Sequence, residues 1–213
     1  MTFPIFKLSK YIDFDEVLMT NVDDDSFVVT SPEYFRGFKT EGVACCYAFI
    51  AIITEEGEGG LIPVSLGHYV PGESIEEEDI KEEDIEDERL SVESFLDKMN
   101  DEIRSTLGDV TVQYIVLGGA RSSRCTLLGI KNLSNEGRAD YCISSVYTDL
   151  SSNEEGSIDI FINRKGICYQ QYSELKASYE NNIVEPDAMV EFADDASVAE
   201  AKPRSRLTKK GIE

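Results

Sequence analysis

The chain lacks the features that mark membrane, secreted and zinc-binding proteins. No apolar run approaches the ~18 residues that a membrane-spanning helix needs. The first residues have neither a basic start nor a long apolar stretch, which predicts no secretory signal. The five cysteines are an odd number and show no CxxC spacing, so neither a structural zinc site nor a disulfide scaffold is well supported. Free thiols in a reducing compartment fit best, and we predict a cytoplasmic protein. The alternative is a translocated effector acting in a host cytosol, since such secretion signals need not be apolar.

Positive charge is also scarce. The chain has 20 Lys and Arg residues against 42 Asp and Glu residues, a formal net charge of −22. Nucleic acid phosphates and anionic membranes repel such a chain, so we predict that it binds neither. The negative charge suits a protein partner with a basic surface, or it serves solubility alone. Nothing in the charge pattern specifies an oligomeric state.

What is present suffices for one domain with short appendages. The 213 residues are 41% hydrophobic, enough for a sizeable core. We predict an N-terminal segment over residues 1–24, a domain over 25–178 and a mobile or peripheral tail over 179–213. An acidic insertion over 72–89 interrupts the domain, and its like charges favour a solvated loop.

Hydrophobic periodicity predicts an α+β fold, with strands and a helix that covers one face of the sheet. The clearest helix runs from Ser91 to Leu107, where apolar residues recur at steps of three and four, with Ser91 as its N-cap. Strands are predicted at 26–30 and 110–117, and a hairpin at 157–163 and 167–172. The segment 141–148 fits a strand or a helix.

The central stretch runs from Thr40 to His68, the only histidine in the chain. Two predicted strands, starting at Cys46 and at Leu61, flank a glycine-rich turn, and Pro63 marks the second strand as an edge or a bulge. A hairpin would bring His68 back near Cys46. Alternation places four residues on one face: Cys46, Ala48, Ile50 and Ile52.

Two interpretations of this cysteine and histidine stand side by side. An imidazole close to a thiol can activate it for nucleophilic attack. A buried cysteine is also a common small apolar filler, and a single histidine often lies in a core with its hydrogen bonds satisfied.

Several separated motifs resemble the chemoreceptor glutamine deamidase (CheD) family. Residues 40–46, Thr-Glu-Gly-Val-Ala-Cys-Cys, resemble its T-x-G-x-x-S-C motif, with Cys45 in the place of the serine. His68 shortly precedes Pro71, as a histidine precedes a proline in that family. Gly118-Gly119-Ala120 resembles its Gly-Gly-Ala, and residues 128–132 resemble its Ile-Gly-x-x-Asn. The likeness covers residues 25 to 172 and extends to deamidating toxins of the cytotoxic necrotizing factor type.

The resemblance implies a CheD-like fold, a layered β-sandwich or mixed sheet covered by helices. It also implies a protein-glutamine deamidase that forms a thioester. Cys46 would be the nucleophile, His68 the base and Thr40 the residue that orients the imidazole. Backbone amides near Cys46, with the Gly118-Gly119 turn, would stabilise the oxyanion, and neither metal nor cofactor would be needed. Cys45 is the rival nucleophile, which alternation points to the opposite face, and the spacing from Thr40 favours Cys46.

Two other classes remain open. One is a different Cys-His thiol hydrolase, a protease or a transglutaminase. The other is a non-catalytic acidic binding protein with the same fold.

Overall fold

The computed structural model describes residues 3–8, 19–54, 60–72, 80–118, 123–148, 150, 157–171 and 199–200. The described part is an α+β structure with two mixed sheets and two helices, as the periodicity predicts. Its elements are β1 (Ile5–Lys7), β2 (Thr20–Asn21), β3 (Ser26–Val29), β4 (Phe38–Val43), β5 (Tyr47–Thr54), β6 (Leu61–Tyr69), α1 (Glu82–Leu107), β7 (Val112–Gly118), α2 (Arg124–Glu136), β8 (Tyr141–Tyr147), β9 (Ile158–Ile162), β10 (Ile167–Gln171) and β11 (Ala199–Glu200). None of the helices described here is long and apolar enough to cross a bilayer.

The strands form a six-stranded and a five-stranded sheet. The six-stranded sheet has the order β11-β1-β10-β9-β4-β2, and the five-stranded sheet the order β3-β6-β5-β7-β8. Apolar residues of both sheets form one core, which includes Phe38 and Ile160 from the first and Ile50 and Leu66 from the second. The other face of the five-stranded sheet packs on α1 and α2. The described residues therefore form three layers, sheet on sheet and helices on the second sheet.

The β5–β6 hairpin is confirmed, and it forms the middle of the five-stranded sheet. Alternate β5 residues face the two cores: Ala48 and Ile50 the core between the sheets, and Phe49 the helices. The strand reads as a continuous apolar run because both faces are buried. Pro63 lies beside a register shift at Ala51 and Ile52, so the predicted bulge is present. Strand β3 pairs with β6 from Ser65 to His68, which makes that part of β6 an interior strand, and Pro63 lies outside this pairing. The turn glycines Gly57 and Gly59 lie outside the described residues.

Helix α1 begins nine residues earlier than the sequence indicates, at Glu82 instead of Ser91. The N-cap is Lys81, whose backbone N–H donates to the Asp84 carboxylate at 2.8 Å. Acidic side chains in the first turn are favourable at the positive end of the helix dipole, so the end of the predicted acidic loop is helical. Residues 73–79 of the acidic insertion lie outside the described part.

Two strands of the N-terminal segment belong to the six-stranded sheet. Strand β1 pairs in parallel with β10, and β2 pairs in parallel with β4. Strand β4 itself is not predicted, because its Lys, Thr, Glu and Gly residues resemble a turn. The hairpin of β9 and β10 is confirmed, and residues 141–147 are a strand. Of the predicted tail, only residues 199–200 are described, in a pairing with β1.

Glu88 ties α1 to the chain that leaves β6. Its carboxylate accepts hydrogen bonds from the Tyr69 hydroxyl at 3.2 Å and from the Gly72 backbone N–H at 3.1 Å. It also accepts one from the Thr126 hydroxyl of α2 at 2.8 Å. The end of β6 and both helices therefore meet at one side chain.

Candidate active site

The chain crosses from one sheet to the other between Thr40 and Cys46. Thr40 lies on β4 of the six-stranded sheet, and Cys46 directly precedes β5 of the five-stranded sheet. The register of β4 shifts between Thr40 and Val43, and Gly42 adopts a φ of 71°, which a residue with a side chain rarely adopts. The five residues between the threonine and the cysteine are thus the connection that places the two side chains on different sheets.

Thr40 and His68 form a buried hydrogen bond across the two sheets. The Thr40 Oγ1 to His68 Nδ1 distance is 2.8 Å, and neither side chain is more than 1% exposed. This is the contact expected of a residue that orients the imidazole. His68 reaches this position because β6 pairs with β3 at Ser26 and with β5 at Ala48.

The hydrogen bonds of Thr40 specify the tautomer of His68. The Thr40 hydroxyl has one proton, and it donates to the Val22 carbonyl oxygen at 2.8 Å. Oγ1 then accepts from His68, so Nδ1 carries the ring proton. The other nitrogen, Nε2, consequently has a free lone pair. It is buried and has no hydrogen-bond partner among the described residues. A neutral imidazole with an unused lone pair is the form that a general base requires.

Cys46 lies on the same face of the sheet as His68. It belongs to the core between the sheets together with Ala48 and Leu66, and Ala48 pairs directly with His68. Continuing this register by one pair places Cys46 diagonal to His68, a relation that separates backbones by about 7–8 Å. In the described part of the chain His68 Nε2 has no hydrogen-bond partner, so the Cys46 thiol is not hydrogen-bonded to this nitrogen.

The Cys46 sulfur contacts the Cys45 sulfur, at an Sγ to Sγ distance of 3.8 Å. Cys45 is exposed and Cys46 is buried. The expected separation of the two thiols onto opposite faces is therefore only partial, because residues 44–46 form a bend outside the strand ladder.

Burial sets the protonation states of Cys46 and His68. It raises the pKa of the Cys46 thiol to about 12, and the neighbouring Cys45 thiol and Asp24 carboxylate push the pKa the same way, while the Ala44 backbone opposes them. Burial also lowers the pKa of His68, against the opposing effect of the Asp24 and Asp25 carboxylates. At neutral pH the site therefore holds a thiol and a neutral imidazole, and a thiolate would form only as the ring takes the proton.

Asp24 is a member of the site that the sequence analysis missed. Its Oδ1 lies 3.4 Å from His68 Nδ1, and its side chain is 78% exposed. The turn that contains Asp24 leads into β3, and Ser26 of β3 pairs with His68, which places the carboxylate beside the ring. The signal in the sequence was the run Asp23-Asp24-Asp25 before a strand, but only the pairing of β3 with β6 shows which aspartate reaches the histidine.

A groove of about 410 Å³ lies beside Asp24. Glu41, Gly42, Ser157 and Asp159 complete its lining. Asp159 is buried and accepts hydrogen bonds from the Gly42 backbone N–H at 3.2 Å and from the Gln170 side chain at 3.0 Å. Three carboxylates line this groove, so its character is acidic.

The predicted oxyanion region is described in part. Gly118 ends β7 and pairs with Tyr47, the residue after Cys46. The Tyr47 hydroxyl donates to the Ser123 carbonyl oxygen at 2.8 Å, which ties the start of β5 to the residue before α2. Gly119 lies outside the described residues. Within the described ranges, no three His, Cys, Asp or Glu side chains are grouped so that they could hold a metal ion.

No model of a known protein family matches this chain, and no curated protein matches it either. The likeness to the glutamine deamidases thus depends on the short sequence motifs alone.

Proposed function

We propose that the protein is a Cys-His hydrolase that converts a glutamine side-chain amide of a partner protein to glutamate and ammonia. The observation that carries the proposal is the hydrogen bond between Thr40 and His68. It leaves Nε2 as a buried lone pair on the same sheet face as Cys46. The choice of glutamine as substrate comes from the motif resemblance.

In the proposed reaction, the Cys46 sulfur attacks the carboxamide carbon while His68 Nε2 takes the thiol proton. The tetrahedral intermediate then expels ammonia, which receives that proton from the imidazolium, and a thioester remains. His68 next removes a proton from water, and the resulting hydroxide attacks the thioester carbon. The thiol leaves with the proton returned by His68, and glutamate is released.

Thr40 and Asp24 would support the imidazolium that forms twice in this cycle. The Thr40 hydroxyl accepts from Nδ1 and holds the ring in one orientation. The Asp24 carboxylate, 3.4 Å from the same nitrogen, favours the protonated ring electrostatically. Substrate binding must bring the Cys46 sulfur and Nε2 together, because hydrogen bonds at catalytic sites often tighten only in the complex with substrate.

The test combines ammonia release with mass spectrometry. Proteins of a cell extract are incubated with the purified protein, and glutamines that show the mass gain of an amide-to-acid conversion are mapped. We expect Cys46→Ser to abolish both signals and Cys45→Ser to retain them, since a hydroxyl is a far weaker nucleophile than a thiol activated by a base. Full activity of Cys46→Ser would refute the assignment. Chain cleavage in place of ammonia release would indicate a protease.

A second candidate function is a non-catalytic binding protein with an acidic surface. Two observations favour it: burial raises the pKa of Cys46 to about 12, and the thiol makes no hydrogen bond to the ring among the described residues. The rate of Cys46 alkylation by iodoacetamide separates the two candidates. A rate that falls in His68→Ala favours the hydrolase, whereas a slow rate that is equal in both proteins favours the binding protein.

A further inference from the structure

Cys45 and Cys46 combine close contact with unequal access to solvent. Their sulfur atoms lie 3.8 Å apart, the Cys45 side chain is exposed, and the Cys46 side chain is 7% exposed. A soluble oxidant therefore reaches the first sulfur directly, and the second sulfur lies within van der Waals contact of the first. In the deamidase proposal Cys45 has no chemical role.

The backbone of Cys45 and Cys46 lies outside the strands. Residues 44–46 form a bend between β4 and β5, and the ladder with β6 begins at Tyr47. Closing the 3.8 Å separation to the bond length of about 2.04 Å that a disulfide requires changes the side-chain and backbone torsions of this bend, which lies outside the ladder of β5 with β6.

A bond between neighbouring residues is strained, which makes it easy to reduce. Adjacent Cα atoms are about 3.8 Å apart across a trans peptide, whereas disulfides usually join Cα atoms separated by about 4.4–6.8 Å. Strained and exposed disulfides have higher reduction potentials and are the labile ones. Such a bond would form under oxidant and would be removed by cellular thiols.

We propose that Cys45 and Cys46 form a reversible disulfide when the protein meets hydrogen peroxide. The Cys45 sulfur attacks the peroxide, which yields a sulfenic acid and one water. The Cys46 sulfur then attacks the sulfenic sulfur, and its proton leaves with the hydroxyl group as a second water. The two thiols lose two hydrogens in total, and the peroxide is reduced to two waters.

The consequence for activity depends on the proposed function, although the oxidation does not. If Cys46 is the nucleophile, the disulfide removes it from reaction and protects it from irreversible oxidation beyond the sulfenic level. The exposed Cys45 would thus act as the oxidant-sensing partner of the buried Cys46.

Digestion with trypsin separates the Cys45–Cys46 pair from the other cysteines, so the mass of one peptide reports the disulfide. Trypsin cleaves after Lys39 and Lys81, and residues 40–81 include Cys45 and Cys46 but no other cysteine. Cys142 falls on a separate peptide, residues 139–164. It provides an internal control because it is exposed and pairs with Gln113, at the opposite end of β7 from Gly118.

The folded protein is treated with hydrogen peroxide at the dose that halves iodoacetamide labelling of Cys142, then unfolded, alkylated and digested. We expect peptide 40–81 to lose two hydrogens and both alkylation sites, and to recover them after treatment with a thiol reductant. In Cys45→Ser, Cys46 should remain a free thiol that is alkylated after unfolding, because its burial shields it from the oxidant in the folded protein.

Three results would overturn the proposal: peptide 40–81 gains oxygen, Cys45 cross-links to a second chain, or both thiols are still alkylated at that dose. None of these results bears on the deamidase proposal, since the readout is mass alone. Conversely, if the protein forms the reversible disulfide but releases no ammonia, the disulfide proposal stands and the deamidase proposal is rejected.

Discussion

At the residue scale, the two ring nitrogens of His68 define the site, because they differ in their hydrogen-bond partners. Thr40 and Asp24 both face Nδ1, at 2.8 and 3.4 Å, and Nε2 has no partner among the described residues. This asymmetry distinguishes the ring from a core histidine whose two nitrogens are both satisfied, the alternative that the sequence left open. A buried polar atom without a partner is uncommon and costly, so the lone Nε2 requires an explanation, and a role as the base supplies one.

The influence of Asp24 on His68 can be measured directly, because the chain has one histidine. Asp24→Asn removes a negative charge 3.4 Å from Nδ1, and the pKa of His68 should fall further below its ordinary value. Two charges at such a distance interact by about 1 kcal/mol in water, equivalent to about a fivefold loss of proton affinity. The imidazole resonances, followed by NMR as a function of pH, report this pKa without overlap.

Asp23→Asn is the matched control for that titration. Asp23 belongs to the same turn but accepts from the Asn21 side chain instead of facing the ring. We expect its variant to titrate as the natural protein does. Equal titration curves for Asp24→Asn and the natural protein would mean that Asp24 does not act on the imidazole.

At the element scale, β6 connects the site to the helices. Its residues alternate between the core that contains Leu66 and the surface beneath α1. Gly67 lies on the helix side, where a Cβ atom would come within 2.7 Å of the Met99 sulfur and 2.8 Å of the Phe95 ring. Glycine at this position permits close approach of the helix to the strand, one residue before His68.

Gly67→Ala should therefore destabilise the fold by about 1–3 kcal/mol, the usual cost of overpacking a core. The urea midpoint of unfolding measures the change. Gly72→Ala is the control, because Gly72 is exposed and its Cβ would meet one atom, a Glu88 carboxylate oxygen at 3.1 Å, and no core side chain. Equal midpoints for the two variants would show that α1 adjusts to the added methyl group.

The elements could be predicted where periodicity was strong. Strand β5 follows from its continuous apolar run, and the apolar face of α1 follows from the three- and four-residue spacing of its apolar residues. Strand β4 could not be found this way, because its Gly42 and polar residues match a turn and its pairing with β9 is long-range. The contact between Thr40 and His68 was expected from the motif resemblance alone. The contact between Asp24 and His68 depends on the pairing of β3 with β6, which no local sequence pattern encodes.

At the scale of the whole molecule, the site depends on the packing of two sheets. Thr40 comes from the six-stranded sheet, whereas His68 and Cys46 belong to the five-stranded one. The core between the sheets holds the hydroxyl against the ring, so any change that loosens this core also changes the site. The excess negative charge opposes compactness throughout.

Salt should therefore stabilise the protein. A net charge of −22 makes self-repulsion large, and ~0.5 M sodium chloride screens it over a few ångströms. Ion pairs such as those of Arg138 with Glu93 and Asp97 weaken in salt, but partly exposed pairs contribute little each. We expect the urea midpoint to rise with salt. A falling midpoint would mean that the ion pairs outweigh the repulsion.

The hydrogen bonds of Glu88 also mark a place where the polypeptide can be divided in two. Gly72 and α1 are joined by this side chain, so a break in the intervening residues leaves both new ends anchored at the same point. Thr40, Cys46 and His68 would all fall in the first fragment, and the helices that support β6 in the second. We expect the site to assemble only when the two fragments bind each other, because β4 and β5 pair with β9 and β7 of the second fragment.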